Sequence, residues 1–155
     1  MVIYVGADDL TDIAHITGLA AQLAAATGSG YTRTTVTYTT ASLGASAQET
    51  GVVPLAPAYR MLRVVATRPC RLRLYATLAQ RTADLGRSRT TSVNPLTDHG
   101  LILDLALQAG VLTRTLSPLA DGVNLETGSN VALTIDNLDT VAGTVAVTLT
   151  YLRTE

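Results

Sequence analysis

Thr144–Leu152 reads TVAVTLTYL, and its period is two. Val145, Val147, Leu149 and Tyr151 fall on one side, Thr144, Ala146, Thr148 and Thr150 on the other. Successive side chains of a strand point to opposite faces, so this pattern predicts a strand with one face in a core and one turned outward. The same signature recurs upstream. Thr32–Thr40 is a β-branched run, and Leu72, Leu74 and Ala76 alternate with Arg71, Arg73 and Tyr75. Thr50–Ala56 and Tyr59–Thr67 are apolar stretches punctuated by Pro54 and Pro57, which suits edge strands or strand ends. Further strands are expected at Leu101–Leu103, Val111–Ser117 and Ser129–Asp136. Turn signals separate them: Asn94-Pro95, Ser117-Pro118, Asp121-Gly122, Gly128-Ser129-Asn130 and Asn137–Asp139.

Seven or eight short strands punctuated this way predict a mainly β domain, an antiparallel β-sandwich of jelly-roll-like type. No alternation of strand and helix appears, which argues against doubly wound and barrel α/β folds. The last strand ends close to Glu155, so the sandwich is expected to be complete at its C-terminal side.

Residues 1–30 differ in kind. Met1–Val5 suits a short strand or an extended arm. Asp9 stands where an N-cap belongs, and Asp12 follows within the first turn. Leu10, Ile13, Ile16, Ala20, Leu23 and Ala24 then recur at helical spacing up to Gly28. The expectation is an arm and one amphipathic helix in residues 1–30, followed by the sandwich in 31–155. Leu10, Ile13, Ile16 and Leu23 are the candidate oligomer or attachment interface, since nothing local covers that stripe.

Composition removes several functions. The net charge is −1 across 155 residues, all eleven basic residues are arginine, and there is no Phe or Trp. Nucleic-acid binding normally needs a positive face with stacking aromatics, so neither nucleic acid nor an anionic membrane is an expected partner. One cysteine, Cys70, excludes an intrachain disulfide and a cysteine zinc site. No stretch reads as an export signal or a membrane-spanning helix. The histidines are His15 and His99 alone, and no nucleophile-elbow, metalloprotease or phosphate-loop motif occurs. The expectation is a protein that is no enzyme and uses no cofactor or metal. Asp98-His99-Gly100, which with Asp104 could offer metal ligands, reads better as a turn. Asp121, Asp136 and Asp139, which could hold a loop calcium, also read better as turn residues, since neither set has a recognisable ligand spacing.

The charged fraction is 15%, below the usual quarter, and it is unevenly spread. Six of the arginines lie between Arg68 and Arg89, in and around the stretch CRLRLYATLAQRTADLGRSR. Arg71, Arg73 and Tyr75 share a strand face, and a short helix over 78–85 brings Arg81 within i,i+3 reach of Asp84. Two readings stand. Arginine forks bind carboxylates, phosphates and sugars, which makes Arg71, Arg73, Tyr75 and Arg81 a candidate anion or glycan face. Arginine is also enriched, and lysine depleted, at subunit interfaces, which makes the same face solvent- or neighbour-facing.

The Arg-rich strand ending in Leu74-Tyr75, the block Thr77–Asp84, Asp98-His99-Gly100, Leu116-Ser117-Pro118 and the closing Thr148–Leu152 together resemble small virion proteins of tailed bacteriophages. The resemblance covers about residues 59–155. It implies a β-sandwich module of a tail, baseplate or fibre, or a capsid decoration, located in the virion. It also implies a homo-oligomer, a trimer by preference, with other virion proteins as partners. The alternative is a module that recognises a host-surface glycan.

Overall fold

The computed structural model of the chain describes residues 32–88, 91–94 and 97–154. The chain divides into two units, Met1–Thr32 and Arg33–Glu155. The expected arm and helix, with Leu10, Ile13, Ile16 and Leu23, lie outside the described residues.

The second unit contains, among the described residues, β1 (Arg33–Leu43), β2 (Gln48–Pro54), β3 (Ala58–Ala66), β4 (Cys70–Tyr75), α1 (Leu78–Asp84), β5 (Leu101–Leu107), β6 (Thr113–Val123), β7 (Asn130–Asn137) and β8 (Gly143–Arg153). They form two four-stranded antiparallel sheets, ordered β1-β8-β3-β6 and β2-β7-β4-β5. The pairings are nested. β4 pairs with β5, β3 with β6, β2 with β7 and β1 with β8, as if one long hairpin had been rolled up. Lateral pairs β4–β7 and β3–β8 stitch the turns of the roll together.

Each strand contributes its apolar phase to the space between the sheets. β8 supplies Val145, Val147, Leu149 and Tyr151, the side its alternation predicts. β4, β5 and β7 supply Cys70, Leu72, Leu74, Leu107, Val131, Leu133 and Ile135. Full burial of each such aliphatic side chain contributes roughly 1.5–3 kcal/mol. Cys70 belongs to this core; burial, reinforced by nearby Asp136, pushes its thiol pKa up to about 12. It packs as a small hydrophobe.

Register shifts fall in β1 between Thr39 and Ser42 and in the β4–β5 pair between Leu74 and Tyr75, as well as in β3 and β6. In β3, Tyr59 and Met61 point inward, but so do Val64 and Ala66, because a bulge between Met61 and Arg63 inserts Leu62. In β6, Ala120 faces Met61 and Thr115 faces Arg63, so Leu116–Leu119 loop out of the ladder. That loop contains the cis Ser117–Pro118 peptide. The turns expected at Ser117-Pro118 and Asp121-Gly122 are therefore absent, and β6 runs through both. Gly122 is in the strand for a packing reason: a Cβ there would lie 2.4 Å from Cζ of Tyr59.

Two buried asparagines fasten the loops. Asn137 Nδ2 donates to the carbonyls of Leu43, Gly44 and Val141, and its Oδ1 accepts from the Asp139 amide. Asn124 Nδ2 likewise donates to Gly128 and Asn130, and its Oδ1 accepts from the Glu126 amide.

The outer faces of the two sheets differ. The β4–β5 connection lays α1 and the following segment over the β2-β7-β4-β5 sheet. Thr77 caps α1, its hydroxyl accepting from the Gln80 amide. No described element lies over the β1-β8-β3-β6 sheet. Its outer rows carry exposed Thr35, Thr37, Thr39, Thr113 and Thr115 beside half-buried Thr148 and Thr150. Thr37 and Thr148 share a hydroxyl–hydroxyl hydrogen bond of 2.8 Å across the strands.

Candidate functional site

The arginine face resolves into a charge network under α1. Alternation does place Arg71, Arg73 and Tyr75 on one face of β4, but that face is roofed. The Arg73 and Tyr75 side chains are fully buried. Arg73 donates through Nη1 to Asp84 Oδ2 at 3.2 Å and through Nη2 to Asp136 Oδ2 at 3.0 Å. Asp84, on the last turn of α1, also accepts from the Tyr75 hydroxyl at 2.6 Å and from Arg87 Nε and Nη2 at 2.7 and 2.8 Å. Arg87 Nη1 reaches Asp104 Oδ2 at 3.3 Å, and Arg71 closes on Asp104 with two bonds of 2.6 Å. Gln48 completes the other end by donating to Asp136 Oδ1 at 2.9 Å.

Asp136, Arg73, Asp84, Arg87, Asp104 and Arg71 thus form one alternating chain of three carboxylates and three guanidiniums, neutral overall. Burial alone would raise the carboxyl pKa of Asp84. Hydrogen bonds from Arg87 and Tyr75, with the charges of Arg87 and Arg73, outweigh it and bring it down to about 2. Burial and the bond to Asp84 push the Tyr75 phenol up to about 12. Asp104 is also held below its ordinary value: burial opposes this, and the bond and charge of Arg71 prevail.

This arrangement corrects the reading of those residues as an open anion or glycan face. Arg73 and Tyr75 are buried away from any ligand, and both terminal nitrogens of Arg73 donate to aspartates. The buried Nε of Arg73 finds no partner among the described residues. Nor does Arg81 pair with Asp84. Its Nη1 donates to the Gly51 carbonyl, tying α1 to β2, while Asp84 belongs to Arg73 and Arg87. Asp104, Asp136 and Gln48 are the members that the strand pattern alone did not single out. A carboxylate inside the apolar run of β7 was the available signal, because a buried charge requires a partner. Asp121 pairs with Arg60 and Asp139 with Arg68. Asp98 accepts from Gln80, and His99 Nδ1 accepts from the Leu101 amide, so both serve the turn into β5. Among the described residues no three ligand-type side chains converge on a metal position, and no helix is long and apolar enough to cross a membrane.

The network borders two hollows. Asp84 lines one of about 190 Å³ beside Gln80 and His99. Arg71 and Asp104, whose side chains are 12% and 22% exposed, line a cleft of about 830 Å³. Ala106 of β5, Gln108 just beyond it, Ser88, Ser92, Val93 and Leu138 complete the lining of that cleft. A further hollow of about 520 Å³ shares Gln108 and Leu138 with the cleft and adds Pro69, Ala109, Asp139 and Thr140.

No protein-family model matches the chain, and no curated protein matches it. Among solved structures the chain is similar to one from the atomic structure of Sulfolobus Turreted Icosahedral Virus. The TM-score is 0.40 at 17% identity, over 78% of this chain. The chain spans 29% of that viral chain's length.

Proposed function

We propose that this protein is a non-enzymatic structural component of a virus particle that works by packing against copies of itself and other virion proteins. The reading extends to a tailed phage, with the module in a tail, baseplate or fibre or on the capsid, assembled through the segment before Thr32 and through the sandwich itself. It takes the nested strand order as a jelly roll, two Greek keys rolled from one hairpin. The observation that carries it is the contrast between the two outer faces. One sheet is roofed and holds its charges in a closed network. The other has no described element over it and carries rows of threonine with Val65 and Leu152 between them. It also carries Arg33, Arg60 and Arg63, arginine being a residue enriched at subunit interfaces. The resemblance of residues 59–155 to tailed-phage virion proteins supports the same reading.

Light scattering on the full-length chain tests it. The expected mass is a multiple of the chain's own, a trimer by preference. The Thr39→Arg, Thr113→Arg double variant places charge at two exposed positions of that threonine-bearing face, at a stability cost within about 0.5 kcal/mol per surface site. It is expected to lower the mass without moving the unfolding midpoint. A wild-type chain that stays monomeric at tens of micromolar, or a double variant that assembles like wild type, would overturn the role given to this face.

A further inference from the structure

We propose that the double hollow along β5 is a binding site for a neutral oligosaccharide, held by Asp104 and Gln108 in its lining. This stands independently of the particle role proposed above.

The charge of the site selects the ligand class. Both guanidiniums that border the hollows are already engaged by carboxylates: Arg71 by Asp104 through two bonds, Arg68 by Asp139 through two more. An anion entering here would meet those carboxylates before it met an open fork. A purely apolar ligand would strip water from the partly exposed Asp104 and Gln108 and offer nothing in return. A polyhydroxylated, uncharged ligand meets both conditions, because each hydroxyl donates and accepts.

The acceptor it would find is pre-oriented. Asp104 receives three N–H bonds, two from Arg71 and one from Arg87, and an ionised carboxylate offers about four lone-pair positions. Among the described residues Oδ1 accepts one of these bonds and Oδ2 two, which leaves Oδ1 with an acceptor position to spare at a residue that lines the cleft. Arg87 is in turn fixed by Asp84, and Asp84 by fully buried Arg73, so the position of Asp104 is set from the interior outward. A site whose contact residue is locked by supporting bonds binds without the entropy of ordering it.

Shape adds two points. The hollows adjoin, Gln108 and Leu138 lining both, so a ligand longer than one sugar ring would reach residues of each. Val93, Ala106, Ala109, Pro69 and Leu138 supply aliphatic surface for the C–H faces of the rings. Asp104 and Ala106 lie on β5 and Gln108 just beyond its end.

The test uses the full-length protein and saturation-transfer NMR. The panel is maltotriose, cellotriose and mannotriose as neutral probes, sialyllactose and a sulfated heparin oligosaccharide as anionic ones, and a mixed-sequence octapeptide. At least one neutral sugar is expected to bind with a Kd near ~1 mM or tighter. Gln108→Ala removes a hydrogen-bonding side chain, and Ala106→Phe fills the cleft from an exposed position. Neither residue belongs to the charge network, so each is expected to weaken binding by about tenfold with an unchanged unfolding midpoint. Absence of neutral-sugar binding, binding of only the anionic probes or the peptide, or affinity unchanged in both variants would each overturn the proposal.

Discussion

Asp84→Asn is the perturbation that the charge network makes most informative. The change keeps the size of the side chain and removes the charge that Arg73 and Arg87 both face. The carboxyl lies near a pKa of about 2 when folded, against 3.8 for the ordinary side chain. Its folded pKa is depressed, so its ionisation contributes stability above the unfolded value, and that contribution is lost as the pH falls through the folded one. A difference of that size corresponds to about 2 kcal/mol at neutral pH, falling to roughly half a kcal/mol at pH 2. Removing one member of a buried pair often costs about 3–5 kcal/mol, but Arg73 keeps Asp136 and Arg87 keeps Asp104, which favours the smaller figure. Urea unfolding of wild type and variant at several pH values reads the gap directly. The expected result is a gap of about 2 kcal/mol at pH 7 that closes progressively below pH 4. A gap that is the same at pH 7 and pH 2, or none at pH 7, would refute the assignment of Asp84 as the ionised hub under α1.

Two further substitutions test the rest of the fold with opposite signs. The hydroxyl of Tyr59 is buried and finds no partner among the described residues, while its ring packs edge-on to Tyr151 at 6.3 Å. Tyr59→Phe keeps the ring, removes the unsatisfied group and is expected to raise stability by about 1 kcal/mol in urea unfolding; a loss of that size would show the hydroxyl is satisfied. Asn137→Ala strips hydrogen bonds from the carbonyls of Leu43, Gly44 and Val141 and is expected to cost about 3 kcal/mol, with amide exchange accelerated first at the β7–β8 turn. Exchange unchanged there would mean the three strand ends do not depend on this side chain.

Strands with one open face were legible in the sequence, and strands with two covered faces were not. β1 and β8 alternate because one side meets the core and the other meets solvent, so Thr35, Thr37 and Thr39 mark their own exposure. β4 alternates just as cleanly, yet its polar phase is buried. A strand covered on both sides usually reads as a continuous apolar run; here matched charges replace the apolar residues, and the pattern of Arg71 and Arg73 looks like a wet face. Nothing in a period of two reports what lies above a sheet. Bulges escaped for a related reason: Leu62 shifts the phase of β3 by one residue, and the periodicity on either side still looks regular. Ser117-Pro118 carried a turn signal because its chemistry suits any departure from the ladder, and in β6 that departure is a loop within a strand. The charge network was half visible. Asp84 and Arg87 lie three apart in sequence, whereas Asp104 and Asp136 come to the same face only through the nesting of β4 between β5 and β7.

That nesting also dictates the order in which the chain can fold. The innermost pair, β4 with β5, is separated by one short helix and its connection, while the outermost pair joins Arg33 to Leu152. Topologies dominated by such distant pairings fold slowly, since loop closure precedes the contacts that reward it. On a ribosome, β2 waits for β7 and β1 waits for β8, so β1 acquires its ladder partner only after almost the whole chain has emerged. Until then an eleven-residue strand with no proline and one charge presents both of its edges to whatever is nearby. A nascent chain of this kind is most exposed to pairing with its siblings at the moment many copies are being made together.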